Sequence, residues 1–403
     1  MPARKFPATS HAPDWKDVSP RIAASYDLFG DGKTALKASL GRFVAAQGAG
    51  AGGINNNNPV VRSVLSVTRT WADNNGNFNP DCDLTIPLAN GECGQISNLN
   101  FGQNNPNATT YADELLQGLR NYNWETTAQV QRQVAKGVSV TAAYYRRVFS
   151  NFTANDNQFV TPADYTQYCI MAPLDSRLPD GGGNQICGLY DVAPALFGRN
   201  QTIVRSAANY GTRSQVYDGV DFTETARLPN GAQISGGINV GRTKTSACFV
   251  VDSPGALRFC EINPPFQPNA TFVGFYPLPW WGLLTSATYR NYPGTQITAT
   301  YQVTNAQILP SLGRNLSSGA NGTVNVELIQ PGTLYGPRQQ QVDFRISKRL
   351  RLGRTRLAGN VDVFNLFNLT GISTLNTTFG PNWQRPTLLQ GARFVKLSVQ
   401  LDF

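Results

Sequence analysis

Along much of the chain apolar and polar side chains alternate one for one, in blocks of about ten residues. The last block is the clearest: Val395, Leu397, Val399, Leu401 and Phe403 fall on one side, and Lys396, Ser398, Gln400 and Asp402 on the other. A period of two is that of a β-strand with one apolar face. Tyr122, Trp124, Thr126, Ala128 and Val130 stand in the same way against Asn123, Glu125, Thr127, Gln129 and Gln131. The pattern recurs in Ala232, Ile234, Gly236, Ile238 and Val240, and in Ile297, Ala299, Tyr301 and Val303. About eleven strands are predicted, near residues 19–28, 34–44, 121–133, 137–150, 213–227, 231–244, 280–290, 295–305, 340–350, 355–367 and 392–403. No helical period of comparable strength competes.

The connections between these segments alternate between short and long. Turn chemistry marks the short ones: Gly30-Asp31-Gly32, Lys136-Gly137, Pro229-Asn230-Gly231, Pro293-Gly294 and Gly353. The long ones cover residues 45–120, 151–212, 245–279, 306–339 and 368–391, against the roughly 2–6 residues of an ordinary connection. Up-and-down strands put all short turns at one end and all long loops at the other. Ten residues rising about 3.3 Å each at about 45° span roughly 23 Å, close to the lipid-facing band of an outer-membrane barrel. The pattern therefore predicts an all-β, antiparallel, up-and-down transmembrane β-barrel with long extracellular loops.

Aromatic residues are expected to form two interfacial girdles on such a wall. Trp15, Tyr122, Trp124, Trp280 and Trp281 begin predicted strands and Phe43, Tyr144, Tyr145, Phe364 and Phe367 end them, all at the loop-side rim; Tyr26, Phe29 and Phe403 mark the other rim. Aromatics also favour strands of any kind, which is the plainer account.

Composition supports a barrel and removes other classes. Of 403 residues only 15% are charged and 41% hydrophobic, where a soluble domain carries roughly 25% charged. Asn, Gln, Ser, Thr and 38 Gly fill the gap. No apolar run approaches the roughly 18 residues of a membrane helix, and no basic start with an apolar core resembles a signal peptide. His11 is the one histidine, which argues against histidine triads and most zinc sites. The balance of 34 basic and 25 acidic residues gives +9, but no basic run interleaved with stacking aromatics points to nucleic acid. Arg345, Lys348, Arg349, Arg351, Arg354 and Arg356 cluster around one hairpin, where a periplasmic rim would set them against anionic headgroups; basic residues on the polar face would instead line a lumen.

The six cysteines fall in local pairs, Cys82 with Cys93, Cys169 with Cys187 and Cys248 with Cys260, each pair within one long connection. Short separations favour disulfides within each loop, worth roughly 3 kcal/mol apiece in the chain-entropy model. Free thiols are the alternative. The compartment is expected to be oxidising.

Four stretches, Trp15 to Phe43, Tyr276 to Gly282 (YPLPWWG), Val361 to Asn368 (VDVFNLFN) and Val395 to Phe403, taken in this order, resemble the TonB-dependent outer-membrane receptors, in particular the Oar-like group. The resemblance implies a barrel of about 22 strands enclosing an N-terminal plug, with TonB pulling on the plug to admit a scarce, bulky ligand such as a siderophore or an oligosaccharide. On that reading residues 1–403 are the C-terminal half of the barrel, and the plug, the TonB box and the signal peptide lie outside this stretch. Implied partners are outer-membrane lipid, the TonB complex through the plug, and the barrel-assembly machinery at the C-terminal strand. The competing class is a secreted or cell-surface all-β binding module, lectin- or adhesin-like, which shows alternation and disulfides too.

Other motifs carry less. Gly30-Asp31-Gly32-Lys33-Thr34 ends like a phosphate-binding loop, but Asp27 stands where that motif needs glycine and a strand follows where it needs a helix. Between residues 73 and 83, Asp73, Asn75, Asn77, Asn79, Asp81 and Asp83 repeat oxygen-bearing side chains at a spacing that suits Ca²⁺. Asp73, Asn75, Asn77, Asp81 and Asp83 are the candidate ligands, although Phe78 and Leu84 replace the glycine and glutamate of an EF-hand. An Asn-rich turn stapled by Cys82 is the plainer account. No other cofactor is expected. No spacing among the 25 carboxylates singles out an acid/base pair, so no enzymatic activity is expected.

Overall fold

The computed structural model describes residues 13–48, 62–105, 107–118 and 120–403; His11 lies outside them. Eleven strands form the wall: β1 (Arg21–Asp27), β2 (Thr34–Val44), β3 (Tyr122–Ala135), β4 (Val138–Ser150), β5 (Ser214–Arg227), β6 (Gln233–Ser246), β7 (Gln267–Pro277), β8 (Leu283–Tyr292), β9 (Gln339–Leu352), β10 (Thr355–Phe364) and β11 (Phe394–Asp402). Each pairs antiparallel with its neighbour in chain order, and the two-residue strand Glu261–Ile262 adds to β6 as a twelfth member. β1 and β11 stand at the two ends of the sheet.

Register turns the sequence alternation into two faces, because residues directly opposite across an antiparallel pair share a face. Ala128, Tyr144, Val220, Val240 and Pro268 form one such row across β3 to β7. Leu397, Val361, Ile346, Thr285 and Tyr276 form another across β11 to β7. The adjacent rows are polar: Gln129, Ala143, Asp221, Asn239 and Asn269, and likewise Ser398, Asn360 and Ser347.

The apolar face is bare. Ile22, Leu40, Val130, Val220, Phe222, Val361, Leu397 and Val399 are all exposed, and the other sheets are two- and three-stranded pieces within the connections. A sandwich would bury this face under a second layer, so the lectin- or adhesin-like alternative does not describe the molecule. The three clusters of buried apolar residues among the described residues all lie in the connections. The wall keeps its greasy side for a solvent other than water. No helix among the described residues is long and apolar enough to cross a membrane.

Short turns close β1–β2, β3–β4, β5–β6, β7–β8 and β9–β10, all at one end. In the Lys136-Gly137 turn, Gly137 has φ 76° and a Cβ there would strike the carbonyl oxygen of Arg227, so the hairpin and its neighbour β5 require glycine.

Two expectations need correction. Residues 295–305 are not a wall strand: Thr300–Thr304 pairs with Thr323–Glu327 in a small sheet of a long connection, with Ala299 and Val303 fully buried there. The missing wall strand is β7, whose alternation is broken by Pro268, Gly274 and Pro277. Consequently the turn at Pro293-Gly294 does not exist, the real one being Leu278 to Gly282, and β8 runs in the sense opposite to that expected.

If the bare face meets hydrocarbon, adjacent residues of β5 must respond oppositely to the same substitution. Phe222→Arg should destabilise the refolded protein by about 2–4 kcal/mol, and Thr223→Arg by less than about 1 kcal/mol, measured by denaturant titration in lipid vesicles. Equal costs at the two positions would contradict the assignment of faces.

Candidate functional site: the loop cap and the polar face

The long connections do not hang separately. Tyr165–Met171 and Gln185–Val192, between β4 and β5, pair as a hairpin bridged by the Cys169–Cys187 disulfide. Its Tyr168, Ile170, Ile186 and Leu189 share a core with Val303, Ile308, Leu312 and Val326 from the connection between β8 and β9. The helix Asn305–Leu312 that supplies Ile308 and Leu312 starts at a Thr304–Gln307 capping box and stops at Gly313, φ 76°, as local signals dictate. Its Ser311 hydroxyl accepts the Cys169 N–H at 2.8 Å.

A second core joins three connections: Leu178, Ala299, Ile329 and Trp383. Trp383 is 2% exposed and its indole N–H donates to the Thr298 carbonyl at 2.8 Å. Arg177 stacks on that indole, 5.1 Å from the ring centroid, and donates to the Trp383 carbonyl at 2.8 Å. Arg177 also holds the Asp175 carboxyl well below the usual range, at about 2. Arg314 pairs with Asp191, and the connection between β6 and β7, closed by Cys248–Cys260, reaches the Glu327 carbonyl through Arg258. Four of the five loops thus form one braced cap. The first connection joins it less extensively, through Leu115, Leu116 and Val204 with Trp15 against them and a parallel pairing of Thr110–Tyr111 with Thr202–Ser206.

Between the β4–β5 and β6–β7 connections, at the loop-side end of β6, lies a recess of about 780 Å³ whose lining includes Asn155, Tyr165, Arg213, Phe249, Asp252 and Phe259. Burial raises the Asp252 carboxyl above its ordinary value, with Asp156 adding to it and the Asn157 N–H opposing. Rings beside hydrogen-bonding groups suit an amphipathic ligand.

The polar face of the wall continues from there, laced by cross-strand bonds: Arg147 to Glu125, Asn239 to Asp221, Ser347 to Asn360 at 2.7 Å and Arg345 to Asp362. Near the short turns it carries a recess of about 790 Å³ lined by Arg345, Arg349, Arg351, Arg356, Asn360 and Asp402, among others. Four of the six basic residues expected at a headgroup rim therefore face the interior. Lys348, opposite Gly359, is on the outward face and Arg354 is in the turn.

The aromatic set divides. Tyr122 and Trp124 share the loop-side end of β3, with Arg42 over the Tyr122 ring at 4.0 Å, and Phe403 is 98% exposed after β11. Trp280 and Trp281, placed at the loop-side rim from sequence, are exposed at the opposite rim, in the β7–β8 turn. Tyr144 is mid-strand and donates to Asp218 at 2.7 Å. Phe364 stacks on Phe394 on the polar face, centroids 4.5 Å apart. Trp15 is a loop-core residue whose indole N–H donates to Leu115 O at 2.8 Å.

Cys82 and Cys93 are also bonded, stapling the segment of candidate Ca²⁺ ligands. There Asp73 accepts the backbone N–H groups of Gly76 and Phe78 at 2.7 and 3.0 Å, Asn75 and Asn77 both turn their side-chain N–H₂ to Asp81, and Asp83 accepts the Thr85 N–H at 2.8 Å. These oxygens serve a ladder of Asx turns, each already accepting hydrogen bonds from its own loop. The cap leaves one trace in the sequence, the alternation of Ile297, Ala299, Tyr301 and Val303, which a wall strand shows equally.

The family comparison agrees with this architecture. A family described as "Outer membrane beta barrel domain" matches residues 3–237, more than half of the sequence. The chain belongs to that family, and its place is the bacterial outer membrane. Among curated proteins none matches the chain by sequence. Similar solved structures include the outer membrane transporter YddB from Escherichia coli (12% identity, TM-score 0.47, 95% of this chain and 40% of that one). Others are the siderophore receptor PirA from Acinetobacter baumannii (10%, 0.41, 94% and 40%) and the ferripyoverdine receptor from Pseudomonas aeruginosa (10%, 0.42, 94% and 32%). The chain spans 40% or less of the length of these three proteins.

Two outcomes test the cap. Burial, with Asp191 adding and Arg258 opposing, pushes the Tyr168 hydroxyl up from 10.0 to about 12. A group that holds its proton more tightly when folded contributes stability that is complete below its unfolded pKa and lost as pH rises through the folded one. Protease sensitivity of the loops should therefore rise between pH 10 and about 12, and Tyr168→Phe should move that rise upward; an unmoved profile would show that this phenol is not the titrating group. Separately, calorimetric titration with Ca²⁺ to about millimolar, the weak end of extracellular sites, should give no binding heat. A saturable heat abolished by Asp73→Asn would restore the ion.

Proposed function

We propose that this chain is part of the barrel of a TonB-dependent receptor, and that the complete receptor takes up a scarce, bulky ligand from outside the cell. The observation that carries this reading is the continuity of two surfaces. A polar wall face, bonded strand to strand, runs up to an amphipathic recess among loops that share cores and a buried tryptophan. Capture of a dilute ligand gains from a preorganised surface, since less ordering entropy is lost on binding. The ligand contacts are the loops and the upper polar face, and a ferric chelate or an oligosaccharide fits their mixture of rings, amides and hydroxyls. TonB would act through the plug, and the barrel-assembly machinery would engage β11.

The test is made in the cell that produces the protein. A gene deletion and its parent are compared for accumulation of ⁵⁵Fe-labelled chelates, cobalamin and fluorescent oligosaccharides, with and without a protonophore. One probe should accumulate in the parent alone and only in energised cells. Accumulation that persists in de-energised cells would point to a passive pore, and identical accumulation in both strains for every probe would remove the uptake role.

A further inference from the structure

On the face that meets lipid, three neighbouring central strands bring ionisable side chains together. Arg146 of β4, Asp218 of β5 and Arg242 of β6 stand directly opposite one another in one row. Lys244 lies one row nearer the loops, opposite Val216. On the other side of the charged row, Tyr144, Val220 and Val240, then Ala142, Phe222 and Ile238, continue the apolar band. Charge on this face is costly at mid-depth and nearly free at the interface, so the charged row marks headgroup level on the loop side.

The charges do not cancel among themselves. Asp218 is committed, taking the Arg146 Nη1 donor at 2.8 Å and the Tyr144 hydroxyl at 2.7 Å. Arg242 donates to Asn263 Oδ1 at 3.1 Å and lies over the Phe266 ring at 4.2 Å, and its Nε is buried with no hydrogen-bond partner. Among the described residues Lys244 makes no ion pair or side-chain hydrogen bond. A recess of about 390 Å³ opens beside them, with Arg146, Asp218, Lys244, Asn263 and the exposed Glu261 in its lining, and Arg242 at its edge through its bond to Asn263. The lining itself holds two cations and two carboxylates, and Arg242 beside it brings the cluster to three cations against two anions.

We propose that this recess binds the phosphate of an outer-leaflet lipid headgroup, with Lys244 as the cationic contact in its lining, Arg242 as the cation at its edge, and an acyl chain laid along the exposed Val220 and Phe222 below. Basic pockets at the edge of a membrane-spanning surface select anionic headgroups in this way. A soluble anion would gain nothing from the apolar side chains beneath. The site belongs to β4, β5, β6 and the connection that follows β6, so it is whole in this chain, and it rests on the membrane placement and not on the uptake reading.

The protein as the cell makes it, in detergent, is titrated with bisphosphorylated lipid A and read by native mass spectrometry. Arg242→Gln with Lys244→Gln should weaken lipid retention at least about tenfold, while Arg147→Gln, the neighbouring cation on the polar face, should leave it unchanged. Undiminished retention in the double variant would overturn the proposal, as would an equal loss in Arg147→Gln. Inorganic phosphate at the same concentration should not displace the lipid; displacement would assign the recess to a free anion. Should the double variant fail to fold, Lys244→Gln alone carries the test, since that side chain supports no other group.

Discussion

A polypeptide segment in hydrocarbon has no water to satisfy its amides, so each backbone N–H and C=O must find a partner in the chain itself. That constraint explains why the wall has the simplest possible connectivity. Ten antiparallel pairings in chain order join eleven strands, and each interior strand donates and accepts on both sides. At β1 and β11 one row of groups still calls for further strands. The same constraint sends all irregular backbone to the two ends, where water takes over. Turns of two to six residues suffice at one end, and at the other the chain is free to build.

Most of the wall is legible in the sequence because burial of one face in lipid leaves the same period-two trace as burial in a core. The weakness of that signal is the same fact. Ile297, Ala299, Tyr301 and Val303 alternate as well as any wall strand, yet their apolar side turns into the core of the cap, with Ala299 and Val303 wholly buried. β7 alternates poorly because Pro268 and Pro277 flank it and Gly274 interrupts it, and its partners supply the order its own side chains do not. Periodicity reports that one face is removed from water, not what removes it. Trp280 and Trp281 accordingly lie at the rim opposite to the one the pattern predicts, since a single misplaced strand reverses the direction of the next.

The cap was illegible for a different reason. Its contacts join residues far apart in sequence: Arg177 to Trp383, Arg314 to Asp191 and Cys169 to Ser311. Nothing in the local pattern around Trp383 announces an indole that three loops enclose. The cysteine pairs were visible because each closes within its own loop, and they accordingly say nothing of how the loops join.

The wall and the cap are therefore held by different forces. In the wall, apolar side chains gain little from one another, since lipid is as apolar as they are, and cohesion falls to the backbone ladder and the polar pairs of the inner face. In the cap, water is the solvent, and burial of Tyr168, Ile308, Leu312 and Trp383 brings in the hydrophobic effect at its ordinary strength. The two respond to different conditions. Alkali acts on the cap, whose buried phenol it reaches, and leaves a ladder embedded in lipid largely alone. The loops can therefore lose or keep their packing independently of the wall that carries them, because among the described residues no apolar core is shared between the two.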